Sequence, residues 1–455
     1  MTRNFATFVR TILPFLAAAA FPHIAAAASL DDVKHIIVIY LENRSFDNLY
    51  GFFPGADGLA NAGPTATQVD KNGKPYDTLP QPLDTSQNPV VPDDHFPANL
   101  PNSPFEIGQF VPINKITGDL VHRYWHEQMQ IDGGKMDKFA AYSDAGGLAM
   151  GYYDGSHMKL WDWTRRYTLS DHFFHAAFGG SFLNHFFLVC ACVPRYGNAP
   201  DRLVAKLDAN GNLIMPGPDF VTPDNFAVNT MQPSSQPHSA SVTDPAMLLP
   251  PQDMKTIGDE LSEKGIDWAW YAGGWNDAKA GHASKLFQFH HQIFVYFKKY
   301  AEGTDEREKH LKDEIDFEKA IADGTLPPVA FYKPIGTLNE HPGYAEIMAG
   351  DAHIDDLLNK IEKSPIWNSS VIIITYDEHG GYWDHVPPPK VDRWGPGLRV
   401  PTMIISPFAK KGFVDHTVYD TTSILKLIEQ RFYLAPLGTR DRDAGDLTNA
   451  LQFDQ

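Results

Sequence analysis

Two short apolar runs stand out along the chain, and each ends abruptly in polar residues. His35–Leu41 gives way to Glu42, Asn43 and Arg44, and Val371–Tyr376 gives way to Asp377 and Glu378. Short β-branched runs without alternation, bounded by turn residues, predict strands buried on both faces of a parallel sheet. Past residue 350 the period changes: Ile354, Leu357, Leu358 and Ile361 predict one face of a helix, and Asn368-Ser369-Ser370 turns the chain into the Val371 strand. Thr402–Ser406 predicts a further short strand, and Asp420 can cap a helix whose inner face is Ile424, Leu427 and Ile428. Alternating strands and helices predict an α/β fold with a mainly parallel sheet covered on both faces. Residues 60–118 and 201–251 are rich in turn residues without periodicity, so they are expected to be long loop insertions in a single domain spanning 29–455.

The first 28 residues stand outside this pattern. Arg3 and Arg10 without any acid, an alanine-rich apolar stretch and Ala26-Ala27-Ala28 before Ser29 have the layout of a signal peptide. The chain is therefore expected to be exported, to a periplasm or beyond, with no transmembrane anchor. Removing that leader takes the net charge from −18 to −20, which disfavours nucleic acid and anionic membranes as partners. An anionic substrate stays possible where a metal dominates the local field. Cys190 and Cys192 are the only cysteines. A disulfide across one residue would be strained, so the pair is expected to pack as two buried thiols.

Strand-end acids then suggest chemistry. In parallel sheets, ligands bind beyond the carboxyl ends of the strands, and Asp377 beside Glu378 would repel unless a cation or proton held them. Glu42 and Asn43 add oxygen donors suited to a hard divalent ion, with zinc also possible. Gly179-Gly180 lets backbone approach a ligand closely, and Ser181 would then be an exposed nucleophile. The chain holds 19 histidines. His122 and His126 would align on a helix at i, i+4, while His290-His291, His341 and His385 sit beside other polar residues. Such imidazoles bind metal when neutral, or hold phosphate and protonate a leaving group when charged.

Taken in order, several segments resemble the bacterial phosphoesterase family that joins phospholipases C with exported acid phosphatases, a branch of the alkaline phosphatase superfamily. They are Glu42-Asn43-Arg44-Ser45-Phe46-Asp47, Met150-Gly151-Tyr152-Tyr153, Gly180-Ser181, His290-His291, His341-Pro342, Thr375–Gly381 with Asp384–Pro389, and Arg399-Val400-Pro401. The resemblance implies a three-layer α/β/α fold. It assigns Glu42, Asn43, Asp377, Glu378 and Ser181 to one divalent metal (calcium, magnesium, manganese or zinc), with Ser181 also the nucleophile. His122, His290, His291 and Asn184 would surround the phosphate, and His341 would protonate the leaving group. Met150–Gly155 favours the acid-phosphatase side: a phosphomonoester substrate, a phosphoseryl intermediate and protonated histidines favouring acidic pH. The alternative is a phospholipase C acting on phosphatidylcholine-like lipids, and the remote one a non-catalytic phosphate binder. Two positions depart from the family pattern: Gly180 replaces the usual proline of the nucleophile turn, and His185 the arginine that often follows Asn184.

Overall fold

The two apolar runs lie side by side at the centre of an eight-stranded sheet. The computed structural model describes residues 1–2 and 28–453, so the expected signal peptide falls almost wholly outside the described residues. In chain order the sheet strands are β1 (His35–Leu41), β2 (Thr168–Ser170), β3 (Trp268–Ala272), β4 (Leu311–Asp313), β5 (Val329–Lys333), β6 (Ser370–Tyr376), β7 (Thr402–Ile405) and β8 (Phe413–Asp415). Their spatial order is β4-β3-β5-β1-β6-β7-β2-β8. β7 alone runs against the others. Ile36–Leu41 and all of β6 are buried, each large aliphatic contributing about 2 kcal/mol. That double-sided burial is why neither run alternates with polar residues.

Seven helices bear on the site: α1 (Phe46–Tyr50), α2 (Tyr124–Ile131), α3 (Lys159–Arg166), α4 (Ser181–Cys190), α5 (Glu314–Asp323), α6 (Ile347–Glu362) and α7 (Thr422–Phe432). Trp270 of β3 meets His185 of α4, with ring centroids 6.1 Å apart, whereas the next residue, Tyr271, meets Phe317 of α5 at 5.1 Å. Successive strand residues point to opposite faces, so α4 and α5 cover opposite sides of the sheet. α7 packs beside α4, and α3 and α5 pack beside α6. The molecule is a three-layer α/β/α fold. Between 60 and 118 the chain forms only 3-10 turns and two-residue strands. No helix among the described residues is long and apolar enough to cross a membrane.

Two sequence expectations are corrected here. Cys190 and Cys192 form a disulfide rather than a pair of thiols. Ala191 ends α4 in the left-handed conformation (φ 48°), which folds the chain back and brings the two Cα atoms to 5.1 Å, within ordinary disulfide reach. His122 and His126 do not share a helix face, because Arg123 caps α2 and leaves His122 in the preceding loop.

Candidate active site

Register fixes the first two acids. The β1–β6 pairing runs from His35 opposite Ser370 to Leu41 opposite Tyr376, so Glu42 and Asp377 leave adjacent strand ends together. Asn43 then turns sharply (φ 60°), a conformation that asparagine tolerates better than most residues. Its backbone N–H donates to Asp377 Oδ1 at 3.0 Å, and Glu378 N–H donates to the same oxygen at 2.9 Å. The His-Gly-Gly turn follows from packing. Gly380 has φ 65°, and a Cβ there would lie 2.1 Å from the Asn43 carbonyl oxygen. Only glycine lets the loop fold back onto Asn43, and its N–H donates to Glu378 Oε2 at 2.5 Å.

Ser181 is the first residue of α4. Its Oγ lies 3.2 Å from Glu42 Oε2 and 3.3 Å from Asn43 Oδ1. The other end of the Asn43 amide donates to two imidazoles, His122 Nε2 at 3.2 Å and His341 Nε2 at 3.1 Å. Both rings place Nδ1 2.5 Å from a backbone carbonyl, of Leu120 and Pro342 respectively. That network assigns the proton to Nδ1 and leaves the Nε2 lone pairs facing Asn43. His291 Nε2 lies 2.6 Å from Glu42 Oε1, and the His290 and His291 ring centroids are 4.7 Å apart. The structure thus brings Glu42, Asn43, Asp377, Glu378, Ser181, His122, His291 and His341 together.

Asn184 stands elsewhere in the scheme. Its Oδ1 accepts from Ala177 N–H at 2.9 Å, and its Nδ2 faces the carbonyls of Ala177, Gly179 and Gly180. It is fully buried, with its amide committed to the turn before Ser181. Burial pushes His290 well below, and His291 below, the ordinary imidazole range, with Glu42 opposing it at His291, which works against the expected protonated cradle. Burial takes His341 down to about 4.

The carboxylates divide by environment. Burial, then repulsion from Glu42, raises Asp377 to about 7, and burial with the Asp377 charge holds Glu378 well above its ordinary value. Burial opposes ionisation of Glu42 too, but His291 and Lys333 outweigh it and hold Glu42 well below the carboxylate range. Asp377 Oδ2 and Glu378 Oε1 are buried without any hydrogen-bond partner. Orphaned, mutually repelling carboxylate oxygens beside Glu42, Asn43 Oδ1 and Ser181 Oγ make an all-oxygen donor set that fits a hard divalent cation.

Two contributors, Lys333 and Glu127, escaped the sequence reading, and a third, His185, entered it only as a departure from the family pattern. Lys333 ends β5 and places Nζ 2.5 Å from Glu42 Oε1 and 3.7 Å from Asp377 Oδ2. Glu127 of α2 accepts Gly179 N–H at 2.5 Å and Leu398 N–H at 3.0 Å, and His175 Nε2 lies 3.1 Å from it. His185 places Nδ1 2.7 Å from the Ser181 carbonyl oxygen. Lys333 and Glu127 carry no local signal that separates them from ordinary solvent-facing residues. His379, without a role in the sequence reading, packs behind the site against His175, their ring centroids 5.3 Å apart.

The profile of the Phosphoesterase family matches residues 33–435. Phospholipase C B of Mycobacterium tuberculosis is 24% identical over 480 residues, which cover 93% of this chain and 78% of that protein. Non-hemolytic phospholipase C of Pseudomonas aeruginosa is 23% identical over 496 residues, 98% of this chain and 61% of that one. Among solved structures, a protein in the alkaline phosphatase superfamily from Vibrio parahaemolyticus shares 12% identity over 66% of each chain, with a TM-score of 0.34. The family match spans both strand-end acid clusters, the Ser181 turn and the histidines around them, and with it this chain belongs to the Phosphoesterase family as a phosphoric ester hydrolase.

Proposed function

We propose that this protein is a phosphodiesterase of the phospholipase C type that uses Ser181 as nucleophile. The observation that carries the nucleophile is the placement of Ser181 Oγ 3.2 Å from Glu42 Oε2 and 3.3 Å from Asn43 Oδ1, beside two carboxylates with orphaned oxygens. The diester preference rests on the relatives, which are named phospholipases C. The phosphomonoester expectation drawn from Met150–Gly155 gives way. That stretch packs against α1, where Asn48 Nδ2 donates to Gly151 O at 2.9 Å and Tyr153 N–H donates to Asn48 O at 2.8 Å.

In this scheme Ser181 releases its hydroxyl proton to water as Oγ attacks phosphorus, and the leaving alcohol departs opposite it. Water then attacks the phosphoseryl bond and frees the second product. Asn43 holds the serine oxygen and both imidazoles in one geometry. The Nε2 of His341 takes up a proton beside the substrate's negative charge, which offsets the burial that lowers its affinity, and passes that proton to the leaving oxygen. His290 stands as an N–H donor toward the equatorial oxygens, while His122 gives its Nδ1 proton to Leu120 O and keeps Nε2 on the Asn43 amide. A divalent ion held by Glu42, Asn43, Asp377, Glu378 and Ser181 would lower the pKa of the serine hydroxyl and offset phosphoryl charge. Action outside the cytosol belongs to the same reading, since the Cys190–Cys192 disulfide is a bond that persists in oxidising compartments.

The test is a substrate panel of phosphatidylcholine and p-nitrophenyl phosphate, run on wild type and Ser181→Ala with and without chelator. Wild type is expected to prefer the lipid, and the variant to lose turnover on both while keeping its circular dichroism spectrum. A preference for p-nitrophenyl phosphate would return the protein to the monoesterases. Full activity in the variant would remove Ser181 from the chemistry.

A further inference from the structure

A fully buried lysine is rare unless it is paired, and Lys333 is buried against two acids of the active site. The β1–β5 register pairs Ile39 with Tyr332, so Lys333 stands beside Tyr40, and its Nζ lies 4.9 Å from the Tyr40 ring centroid. From there the amine reaches Glu42 Oε1 at 2.5 Å, Leu41 O at 3.3 Å and Asp377 Oδ2 at 3.7 Å. Its three donors are therefore taken up by the strand ends that carry the candidate metal ligands.

The same carboxylate oxygen is also the hub of a second, nitrogen-rich donor set. Ring nitrogens of His185 and His291 and a carboxylate oxygen of Glu42 lie within 4.8 Å of one another, all three residues being buried. His185 Nε2 has no hydrogen-bond partner, and His291 Nε2 faces Glu42 Oε1 at 2.6 Å. Two imidazoles and one carboxylate form a donor set that zinc takes readily. Glu42 is placed to bridge: Oε2 faces Ser181 and the oxygen-rich side, and Oε1 faces His291 and Lys333.

Charge decides what can occupy that second position. Once a metal holds them ionised, Glu42, Asp377 and Glu378 together carry three negative charges on fully buried side chains. A divalent ion and one ammonium neutralise them, whereas two divalent ions beside the ammonium would leave an uncompensated buried positive charge. We propose that Lys333 is the built-in second cation of this centre: its amine holds the position that a second divalent ion would take at Glu42, His185 and His291, and so limits the site to one ion. This inference rests on the metal-centre reading given above.

Metal content after Zn2+ loading and gel filtration, measured by inductively coupled plasma mass spectrometry, tests it. Wild type and Lys333→Arg are expected to retain about one ion per chain, and Lys333→Met about two, because removing the ammonium frees both the charge and the space for a second ion. His291→Ala in the wild-type background is expected to stay at about one, since His291 is not among the residues assigned to the single ion. No retained zinc in wild type would overturn the metal centre itself. About two ions in wild type, an unchanged content in a folded Lys333→Met, or loss of the ion in His291→Ala would overturn the role of Lys333 while leaving the metal centre standing. The wild-type and His291→Ala arms decide the matter even where Lys333→Met does not fold.

Discussion

Asn43 shows how much one side chain can organise. Its amide oxygen accepts from Ser181 Oγ, and its amide nitrogen faces the Nε2 atoms of His122 and His341. Asn43→Asp keeps the oxygen and tolerates the positive φ, but it turns a donor into an acceptor pointed at two imidazole lone pairs. The expected result is a fall in kcat on the order of 100-fold with little change in Tm, read from steady-state kinetics and thermal melts; a wild-type kcat would show that Asn43 does not orient those rings. Asn43 and its neighbours were legible in the sequence because each follows an apolar run, where a strand end needs no polar residue for packing. Lys333 was not. It closes Val-Ala-Phe-Tyr-Lys, which reads as a strand ending in an ordinary solvent-facing lysine, and only the register beside Tyr40 turns its side chain inward. The cysteines misled for a related reason, since a disulfide across one residue depends on the left-handed turn at Ala191, which alanine does not signal.

At the level of elements, the turn before Ser181 is held by both α4 and α2. Asn184 bonds the carbonyls of the turn from one helical turn downstream, and Glu127 of α2 takes the Gly179 N–H from outside. A Cβ at Gly179 (φ 90°) would lie 2.5 Å from Tyr124 N, so α2 sits directly against the turn and the glycine is what permits it. Glu127→Ala leaves the Gly179 and Leu398 N–H groups buried without an acceptor, at about 1–3 kcal/mol each. A loss of about 2–5 kcal/mol in urea denaturation is expected, together with reduced kcat. A loss below about 1 kcal/mol would mean that water replaces the carboxylate. The strands and helices around this turn followed from hydrophobic period. The tether did not, because Glu127 reaches Gly179 and Leu398 across 52 and 271 residues, and no local pattern carries a contact of that range.

Across the whole molecule, stability and pH are joined by two buried charge centres. In the first, Arg399 links Asp47 and Asp384, and His385 Nδ1 lies 2.7 Å from Asp47 Oδ2, tying α1 to the loop after β6. Burial lowers the His385 pKa, but the Asp47 hydrogen bond outweighs it and raises the ring to about 8. A folded pKa above the unfolded value of about 6.5 gives stability that is full below pH 6.5 and lost as pH rises through 8, about 2 kcal/mol in all. His385→Gln should remove that slope from the difference between its urea midpoints and those of wild type; parallel profiles would mean that His385 does not titrate there. The second centre is the candidate active site, where the proposed ion and protons would compete for the same oxygens. Without an ion, Asp377 titrates at about 7 and Glu378 well above its ordinary range, so the folded protein binds protons more tightly than the unfolded chain. That stabilisation is complete below the unfolded carboxylate pKa and is lost as pH rises through 7, a swing of about 4 kcal/mol for Asp377 alone. A divalent ion removes the need for those protons and keeps both carboxylates charged. Chelation should therefore lower Tm little at pH 5 and strongly at pH 9, and re-adding metal should restore it. A gap between ion-free and ion-loaded protein that stays constant from pH 5 to 9 would mean that Asp377 and Glu378 do not hold the ion.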